Sequence, residues 1–285
     1  MRRDIYIICL FYSIMEICKT ELYGIKFEYF KNDSMAAMCV GSNKEWEPHI
    51  TSFVNIYNYL HSAYKIKNII DVGANFGYHT IMFSRQIEGN VYAFEPQIQN
   101  YHLLENNIRN NEIKNVILYN LACGDTNCEI KMPIIIDKVN MINMGDFTPN
   151  FINNAFSTTK SILLDEISFP SNIDLIKIDV QGWEKKVLAG SRNLLNTHKP
   201  ILIVEIENHQ LIKTNTTCEE LFDFIRKQNY HIFYLEYRYP CDHICVHNDN
   251  LDDFRDRFQQ YIFPHTDYND TNFNINYRVN EKFVV

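Results

Sequence analysis

The chain has 285 residues, of which 46% are hydrophobic, and its formal net charge is −8. This length and composition predict one large α/β unit with appendages. Lysine and arginine form no cluster, so we predict no nucleic-acid partner, because phosphate binding needs concentrated positive charge. The eight cysteines are scattered without a CxxC pair, which favours reduced thiols in a cytoplasmic protein over a disulfide framework.

The first candidate element is an apolar segment at residues 5–14, preceded by Arg2 and Arg3. It resembles a signal peptide, but Asp4 and Glu16 flank it and no small-residue cleavage site follows. It is also too short to span a membrane. We therefore expect a docking segment and no stable membrane insertion, with a cleaved or membrane-associated leader as the alternative.

Residues 1–62 are predicted to form an N-terminal unit that packs on the core. Its elements are two short strands, at 21–30 and 35–40, and a helix at 46–61 with apolar residues at helical spacing. Residues 63–248 form the main domain, and residues 249–285 are a polar tail.

The main domain alternates strands with helices, which predicts parallel pairing in a doubly wound sheet with helices on both faces. A hairpin inserted at 122–165 interrupts the alternation; it either closes over a substrate or is a surface feature. The predicted strands are 68–72, 91–95, 115–121, 173–180, 201–206, 230–237 and 243–247, and the helices are 77–87, 97–110, 183–195 and 217–228.

A glycine turn follows the first strand of this domain and carries Asp71, Gly73, Asn75 and Gly77. Such a turn exposes backbone N–H groups at a helix start, and glycines let a ligand approach the backbone. The pattern G-x-N-x-G lacks the G-x-G-x-x-G of dinucleotide folds. Glu95, at the end of the next strand, can accept hydrogen bonds from ribose hydroxyls or cap the following helix. An ordinary βα turn is the alternative for the glycines.

Four motifs in order resemble the FkbM family of S-adenosylmethionine-dependent methyltransferases. They are DVGANFGYHT at 71–80, FEP at 94–96, IKIDVQGWE at 176–184 and VEI at 204–206. The resemblance implies a mostly parallel, seven-stranded sheet of the class I methyltransferase (Rossmann-like) type. It also implies S-adenosyl-L-methionine as cofactor and O-methylation of a hydroxyl on a sugar, glycan or other small natural product. The chain has Gln181 where the family commonly has Glu.

Resemblance and position together give roles to the residues. Asp71, Gly73, Asn75, Gly77 and Glu95 are assigned to the cofactor. The candidate catalytic bases are Asp179 and Glu205, at the ends of two strands, and His79 in the first turn of a helix, where it can also simply pack.

Other readings stay open at this point. His209 could complete a divalent-metal site with Asp179 and Glu205, although we assign no metal ligand. A nicotinamide-dependent oxidoreductase is the alternative enzyme, and the missing dinucleotide glycines weigh against it. A non-catalytic binding module that retains the fold is the alternative outside enzymes, and Gln181 keeps it open.

Overall fold

The computed structural model describes residues 15–61, 64–134, 145, 156–234, 242–259, 261–264 and 273–275. The apolar segment 5–14, most of the region between the two halves of the inserted hairpin and most of the polar tail therefore lie outside the described residues. Within the described ranges, no helix combines the length and the apolar character needed to cross a bilayer.

The N-terminal unit differs from its prediction in two places. The segment predicted as one strand is a hairpin, because Tyr23 and Gly24 adopt left-handed φ values of 53° and 75° and reverse the chain. The segment predicted as a second strand is helical, because the Asp33 carboxylate caps the N–H groups of Met35 and Ala36. A short apolar run does not distinguish strand from helix. The elements are β1 (Ile17–Leu22), β2 (Ile25–Phe30), α1 (Ser34–Met38) and α2 (Pro48–Leu60).

The main domain follows the predicted alternation. Its elements, in chain order, are β3 (Ile69–Val72), α3 (Tyr78–Gln86), β4 (Val91–Phe94), α4 (Ile98–Asn110), β5 (Val116–Tyr119), β6 (Ala122–Cys123), β7 (Cys128–Pro133), β8 (Phe156–Ile162), β9 (Leu175–Ile178), α5 (Glu184–Ala189), α6 (Arg192–His198), β10 (Ile201–Glu205), α7 (Asn208–Leu211), α8 (Cys218–Lys227), β11 (Tyr230–Tyr234) and β12 (Asp242–His247). The segment predicted as a polar tail adds α9 (Leu251–Phe258), β13 (Ile262–Pro264) and β14 (Phe273–Ile275).

The strands of the main sheet follow the order β13-β14-β11-β12-β10-β9-β3-β4-β5. Strands β5, β4, β3, β9 and β10 are parallel, and β12 runs antiparallel between β10 and β11. This arrangement confirms the doubly wound, mostly parallel sheet, whose seven expected strands run from β5 to β11. In the described residues, β13 and β14 extend the sheet beyond β11. The strand order reverses between β3 and β9, where ligands bind in such sheets.

One predicted helix is divided in the structure, for a steric reason. The helix predicted at 183–195 is divided into α5 and α6 at Gly190, because this residue passes the backbone of Gly124 so closely that a Cβ atom would meet the Gly124 oxygen at 1.9 Å. In the inserted region, β7 and β8 pair antiparallel and β6 joins them parallel to β8. The division into three domains stays a prediction.

Asn107 joins the N-terminal hairpin to the main domain. Its fully buried amide donates to the backbone oxygens of Glu28 (2.9 Å) and Phe76 (2.8 Å), and its Oδ1 accepts from the N–H of Glu28 (2.6 Å). One turn later, Asn111 makes the same pair of bonds to the backbone of Lys26, but at an exposed position. The hairpin is therefore fixed to α4 and to the glycine turn at once.

We expect Asn107→Ala to lower the free energy of unfolding by about 2–4 kcal/mol, because it leaves three buried backbone groups without partners. Asn111→Ala is the matched control and should cost less than about 1 kcal/mol, because water replaces the lost bonds at an exposed site. Urea unfolding followed by circular dichroism measures both. Equal losses for the two variants would contradict the conclusion that the buried bonds of Asn107 fix the hairpin to the main domain.

Candidate active site

A cavity of about 740 Å³ lies at the carboxyl ends of β3, β4, β9 and β10. The N-terminal end of α2 and the first residue of β12 also contribute to its wall. The carboxyl side chains on its wall are those of Glu47, Glu95, Asp179, Glu205, Glu207 and Asp242. None of the described residues that line it is a lysine or an arginine. The cavity is therefore acidic and lies at the switch point of the sheet.

The glycines of the turn after β3 are required by contacts within the protein. A Cβ on Gly73 would meet the backbone oxygen of Asp179 at 1.8 Å, and one on Gly77 would meet Leu104 Cδ1 at 2.5 Å. Both glycines also have left-handed φ values, 86° and 95°. These contacts agree with the ordinary βα turn that the sequence left as an alternative, and the assignment of the glycines to the cofactor stays a prediction. Gly73 and Asn75 line the cavity, whereas Gly77 does not.

Asp71 lies behind the turn and is not among the residues that line the cavity. It is fully buried and accepts a hydrogen bond of 2.5 Å from Thr80 Oγ1. Its partner in the adjacent strand is Lys177. Burial raises the pKa of Asp71, and the neighbouring Lys177 ammonium opposes that rise. Asp71 is thus joined to α3 and lies opposite Lys177 on the neighbouring strand, and its assignment to the cofactor stays a prediction.

Glu95 both supports the turn and faces the cavity. Its carboxylate accepts hydrogen bonds of 2.8 Å from the N–H groups of Asn75 and Gln97. Burial raises the pKa of Glu95 to about 7, and these two backbone bonds act in the opposite direction. Glu95 therefore joins the turn after β3 to the entry of α4, where the side chain of Gln97 caps the helix, and its role toward ribose hydroxyls stays a prediction.

Asp179 and Glu205 meet through the side chain of Gln181. The Gln181 amide donates to Asp179 Oδ1 at 2.8 Å and to Glu205 Oε2 at 2.7 Å. The strands that end at the two acids are parallel neighbours in the sheet. Gln181 has a left-handed φ of 53°, which turns its side chain back across the strand ends. The sequence located both acids but gave Gln181 no such bridging role.

The two carboxyl groups differ in ionisation. Burial raises the pKa of Glu205 well above its usual range, and the charge and hydrogen bond of Asp179 raise it further. Burial acts in the same direction on Asp179, but the Lys177 ammonium, 3.1 Å away, and the hydrogen bonds from Glu205 and Gln181 lower its pKa to about 2. Protonation of the pair is therefore favoured at Glu205 and ionisation at Asp179.

His79 is buried but is not among the cavity-lining residues. Its ring packs against Tyr78 and Phe83, and its Nε2 lies 3.6 Å from Glu47 Oε2. Burial lowers its pKa well below the usual value, and Lys177 lowers it further. These contacts match the packing role that the sequence left as an alternative; a catalytic role for His79 stays a prediction.

His209 was considered as a metal ligand. Its side chain is 64% exposed and lies 3.3 Å from Glu207. Among the described residues, no group of three His, Cys, Asp or Glu side chains is arranged to hold a metal ion.

Several site residues were missed at the sequence level. Lys177 carried a signal, because it interrupts an apolar strand two positions before Asp179 and so shares its face. Glu47 has a left-handed φ of 43°, a conformation that no sequence pattern indicates. His49 and Asp242 are brought to the cavity only by the tertiary fold, from segments on either side of the recognised motifs.

The sequence model of the methyltransferase FkbM domain matches residues 71–232, more than half of the chain. The chain belongs to the FkbM methyltransferase family. The matched FkbM domain includes the glycine turn, Glu95 and the Asp179–Gln181–Glu205 group, whereas His49 and Asp242 lie outside it. A search of curated proteins finds no match.

Solved structures with similar folds include methyltransferases. Methyltransferase FkbM from Methylobacillus flagellatus KT is 17% identical, with a TM-score of 0.44, over 63% of this chain and 43% of that one. TYW2 from M. jannaschii, solved with AdoMet, is 14% identical, with a TM-score of 0.40, over 81% and 84%. The Pyrococcus abyssi tRNA (uracil-54, C5)-methyltransferase, solved with S-adenosyl-L-homocysteine, is 11% identical, with a TM-score of 0.41, over 81% and 44%. This chain thus spans less than half of the Methylobacillus FkbM structure.

The unequal ionisation of the acid pair predicts unequal effects on stability at neutral pH. Asp179→Asn leaves the buried Lys177 ammonium without its closest counter-charge and should cost about 3–5 kcal/mol of unfolding free energy. Glu205→Gln has the shape and neutrality of a protonated acid, can still donate to Asp179, and should change stability by less than about 1 kcal/mol. Urea unfolding distinguishes the two; a larger loss for Glu205→Gln would place the proton elsewhere.

The same pair has a pH signature. The folded-state pKa of Glu205 lies above its unfolded value, so the stabilisation from its protonation is full below the ordinary carboxyl pKa. It is lost as the pH rises towards the raised value. The Glu205→Gln variant should not show this part of the loss of stability as the pH rises.

Proposed function

We propose that the chain is an S-adenosylmethionine-dependent methyltransferase that methylates a hydroxyl group of a sugar, glycan or similar small molecule. The observation that carries the proposal is a single cavity with two differently built halves. One half is formed by Gly73, Asn75 and Glu95, and the other by Asp179, Gln181 and Glu205. The first suits the cofactor and the second a hydroxylated acceptor.

The first half fits the chemistry of the cofactor in two respects. Asn75 Oδ1 is buried and has no hydrogen-bond partner in the described part of the chain, so it can accept from an ammonium or a hydroxyl group. The Glu95 carboxyl can accept from ribose hydroxyls beside the two backbone donors that it already holds. Because no lysine or arginine lines the described wall, a pyrophosphate-containing cofactor such as NAD fits less well.

The second half fits a neutral acceptor with several hydroxyl groups. The two N–H groups of the Gln181 amide are already donated to Asp179 and Glu205, so they hold the two carboxyl groups in place. The carboxyl oxygens of the pair can then accept the O–H of an alcohol. The acidic wall argues against acceptors rich in phosphate. For that reason we do not propose an RNA acceptor, although an enzyme acting on tRNA is among the similar structures.

The proposed reaction needs alignment above all. S-adenosylmethionine, when bound, supplies a methyl group on a cationic sulfonium. Asn75 and Glu95 would hold that cofactor, and Asp179 with Gln181 would orient the acceptor oxygen in line with the methyl group. The acidic wall favours a cation beside it. The predicted cytoplasmic location stays a prediction.

The cofactor proposal is tested by thermal unfolding with S-adenosylmethionine, S-adenosylhomocysteine or NAD. A ligand at a hundredfold excess over its dissociation constant stabilises the native state by about 2.7 kcal/mol, which is several degrees for a protein of this size. We expect both methionine derivatives to raise the melting temperature and NAD to leave it unchanged. A response to NAD alone would favour the oxidoreductase alternative and reject the methyltransferase.

The acceptor proposal is tested by turnover of the acid-pair variants with methyl-labelled S-adenosylmethionine and a panel of neutral monosaccharides and methyl glycosides. Asp179→Asn and Glu205→Gln should lower kcat or raise KM for the acceptor by about tenfold or more, since each loses a polar contact to it. Their affinity for S-adenosylhomocysteine, measured by calorimetry, should stay within about threefold. Unchanged turnover would place the acceptor elsewhere, and no turnover by the native protein despite cofactor binding would favour the non-catalytic module.

A further inference from the structure

A histidine–aspartate pair lies in the cavity wall and has no part in the roles assigned above. His49 Nε2 is 2.6 Å from Asp242 Oδ2, both side chains are buried, and both line the cavity. His49 precedes the matched FkbM domain and Asp242 follows it. Two segments that are 193 residues apart therefore meet at one wall of the site.

The backbone places this pair next to the acid pair. Asp242 is the first residue of β12, and its partner in the antiparallel ladder with β10 is Glu205. Side chains directly opposite each other in such a ladder have Cβ atoms about 4.5–5.5 Å apart. Asp242, which binds the imidazole, is thus a direct cross-strand neighbour of Glu205, whose carboxyl group we assign to the acceptor.

The start of α2 fixes the histidine. Glu47 adopts a left-handed φ of 43° immediately before Pro48, the first residue of the helix, and His49 follows in the first turn. A non-glycine residue in this conformation costs about 1–3 kcal/mol, and such residues cluster at functional sites. Gln181 and Asn75 have the same left-handed conformation and line the same cavity. Asparagine adopts this conformation readily, so the backbone strain around the site lies at Glu47 and Gln181.

Neither member of the acid pair is suited to remove the acceptor proton. The Lys177 ammonium and the hydrogen bonds to Asp179 lower its pKa to about 2, which makes it a weak base, and burial raises the pKa of Glu205, which favours its protonated form. An effective general base must be unprotonated and still basic at the working pH. Imidazole is the side chain most often used for this purpose, and a carboxylate on one ring nitrogen orients it and stabilises its charged form.

We propose that His49, oriented by Asp242, is the general base that takes the proton of the acceptor hydroxyl. The inference rests on the proposed function. With Nε2–H directed at Asp242, Nδ1 is the basic nitrogen. The acceptor O–H bond breaks and its proton moves to Nδ1, while the oxygen forms a bond to the methyl carbon. The carbon–sulfur bond breaks with its electron pair left on sulfur. Asp242 is the positioning residue, and Asp179 and Glu205 bind the acceptor.

Other charged groups act on this pair. Glu47 lies beside it in the wall, and its carboxyl group feels the charge of Asp242; burial, followed by that charge, raises the pKa of Glu47 to about 8. Positive charge on His49 also lowers the pKa of His79. Glu47 is therefore a third ionisable neighbour that is coupled electrostatically to the wall formed by His49 and Asp242.

The test compares His49→Ala and Asp242→Asn with His102→Gln, a control on α4 that does not line the cavity. Alanine is a good helix former, so α2 should still form in His49→Ala; thermal unfolding checks all three. Turnover is measured with methyl-labelled S-adenosylmethionine and the same sugar panel, with and without added imidazole. Calorimetry with S-adenosylhomocysteine reports the cofactor half. Nitrogen NMR of ¹⁵N-histidine-labelled protein reports the tautomer of His49.

We expect His49→Ala to lose about 10²–10⁴-fold in kcat, with the affinity for S-adenosylhomocysteine within about twofold, partial recovery with imidazole and no loss in His102→Gln. His49 should be the Nε2–H tautomer in the native protein and a mixture in Asp242→Asn. Full turnover in His49→Ala overturns the inference and leaves the proposed function standing. If the native protein neither binds the cofactor nor turns over, the proposed function fails. If, in addition, the tautomer of His49 is the same in Asp242→Asn as in the native protein, the orienting role of Asp242 is rejected as well.

Discussion

The buried ammonium group of Lys177 is the constraint on which the rest of the site depends. It lies on a central strand, in register with Asp71 and two residues before Asp179, and its side chain is only 3% exposed. A buried charge costs several kcal/mol unless it is paired. Burial alone would lower the pKa of Lys177, but the charges of Asp179, Asp71 and Glu47 raise it instead. The acids around the cavity are thus also the counter-charges of one lysine.

This arrangement explains why the chain tolerates an amide at position 181. The lysine offers one positive charge and lies closest to Asp179. A second carboxyl group that ionised nearby would be repelled by the charge of Asp179, and the pKa of Glu205 is accordingly raised. A glutamate at 181 would add a third carboxyl between these two. The Gln181 amide instead donates to both oxygens. Gln181 therefore preserves the acid pair and does not by itself indicate a lost activity.

The sequence predicted what is local and left out what depends on long-range placement. The turn after β3 and the acids at strand ends were found because parallel strands end at the same edge of a sheet. The helix α1 was predicted as a strand because its apolar run is short and its cap, Asp33, was overlooked. His49 could not be found, since its contact with Asp242 requires the register that sets Glu205 opposite Asp242. No spacing rule contains that register.

The two halves of the cavity differ in the same way. The half that we propose for the cofactor is built from the turn after β3 and the end of β4, which are near each other in the chain, so its motif is visible in the sequence. The other half combines β9 and β10 with flanking segments outside the FkbM domain. Lys177 couples the halves, because it contacts Asp179 in one and faces Asp71 behind the turn of the other. A change in charge on either side therefore alters the electrostatic balance of both, and the flanks belong to the site as much as the motifs do.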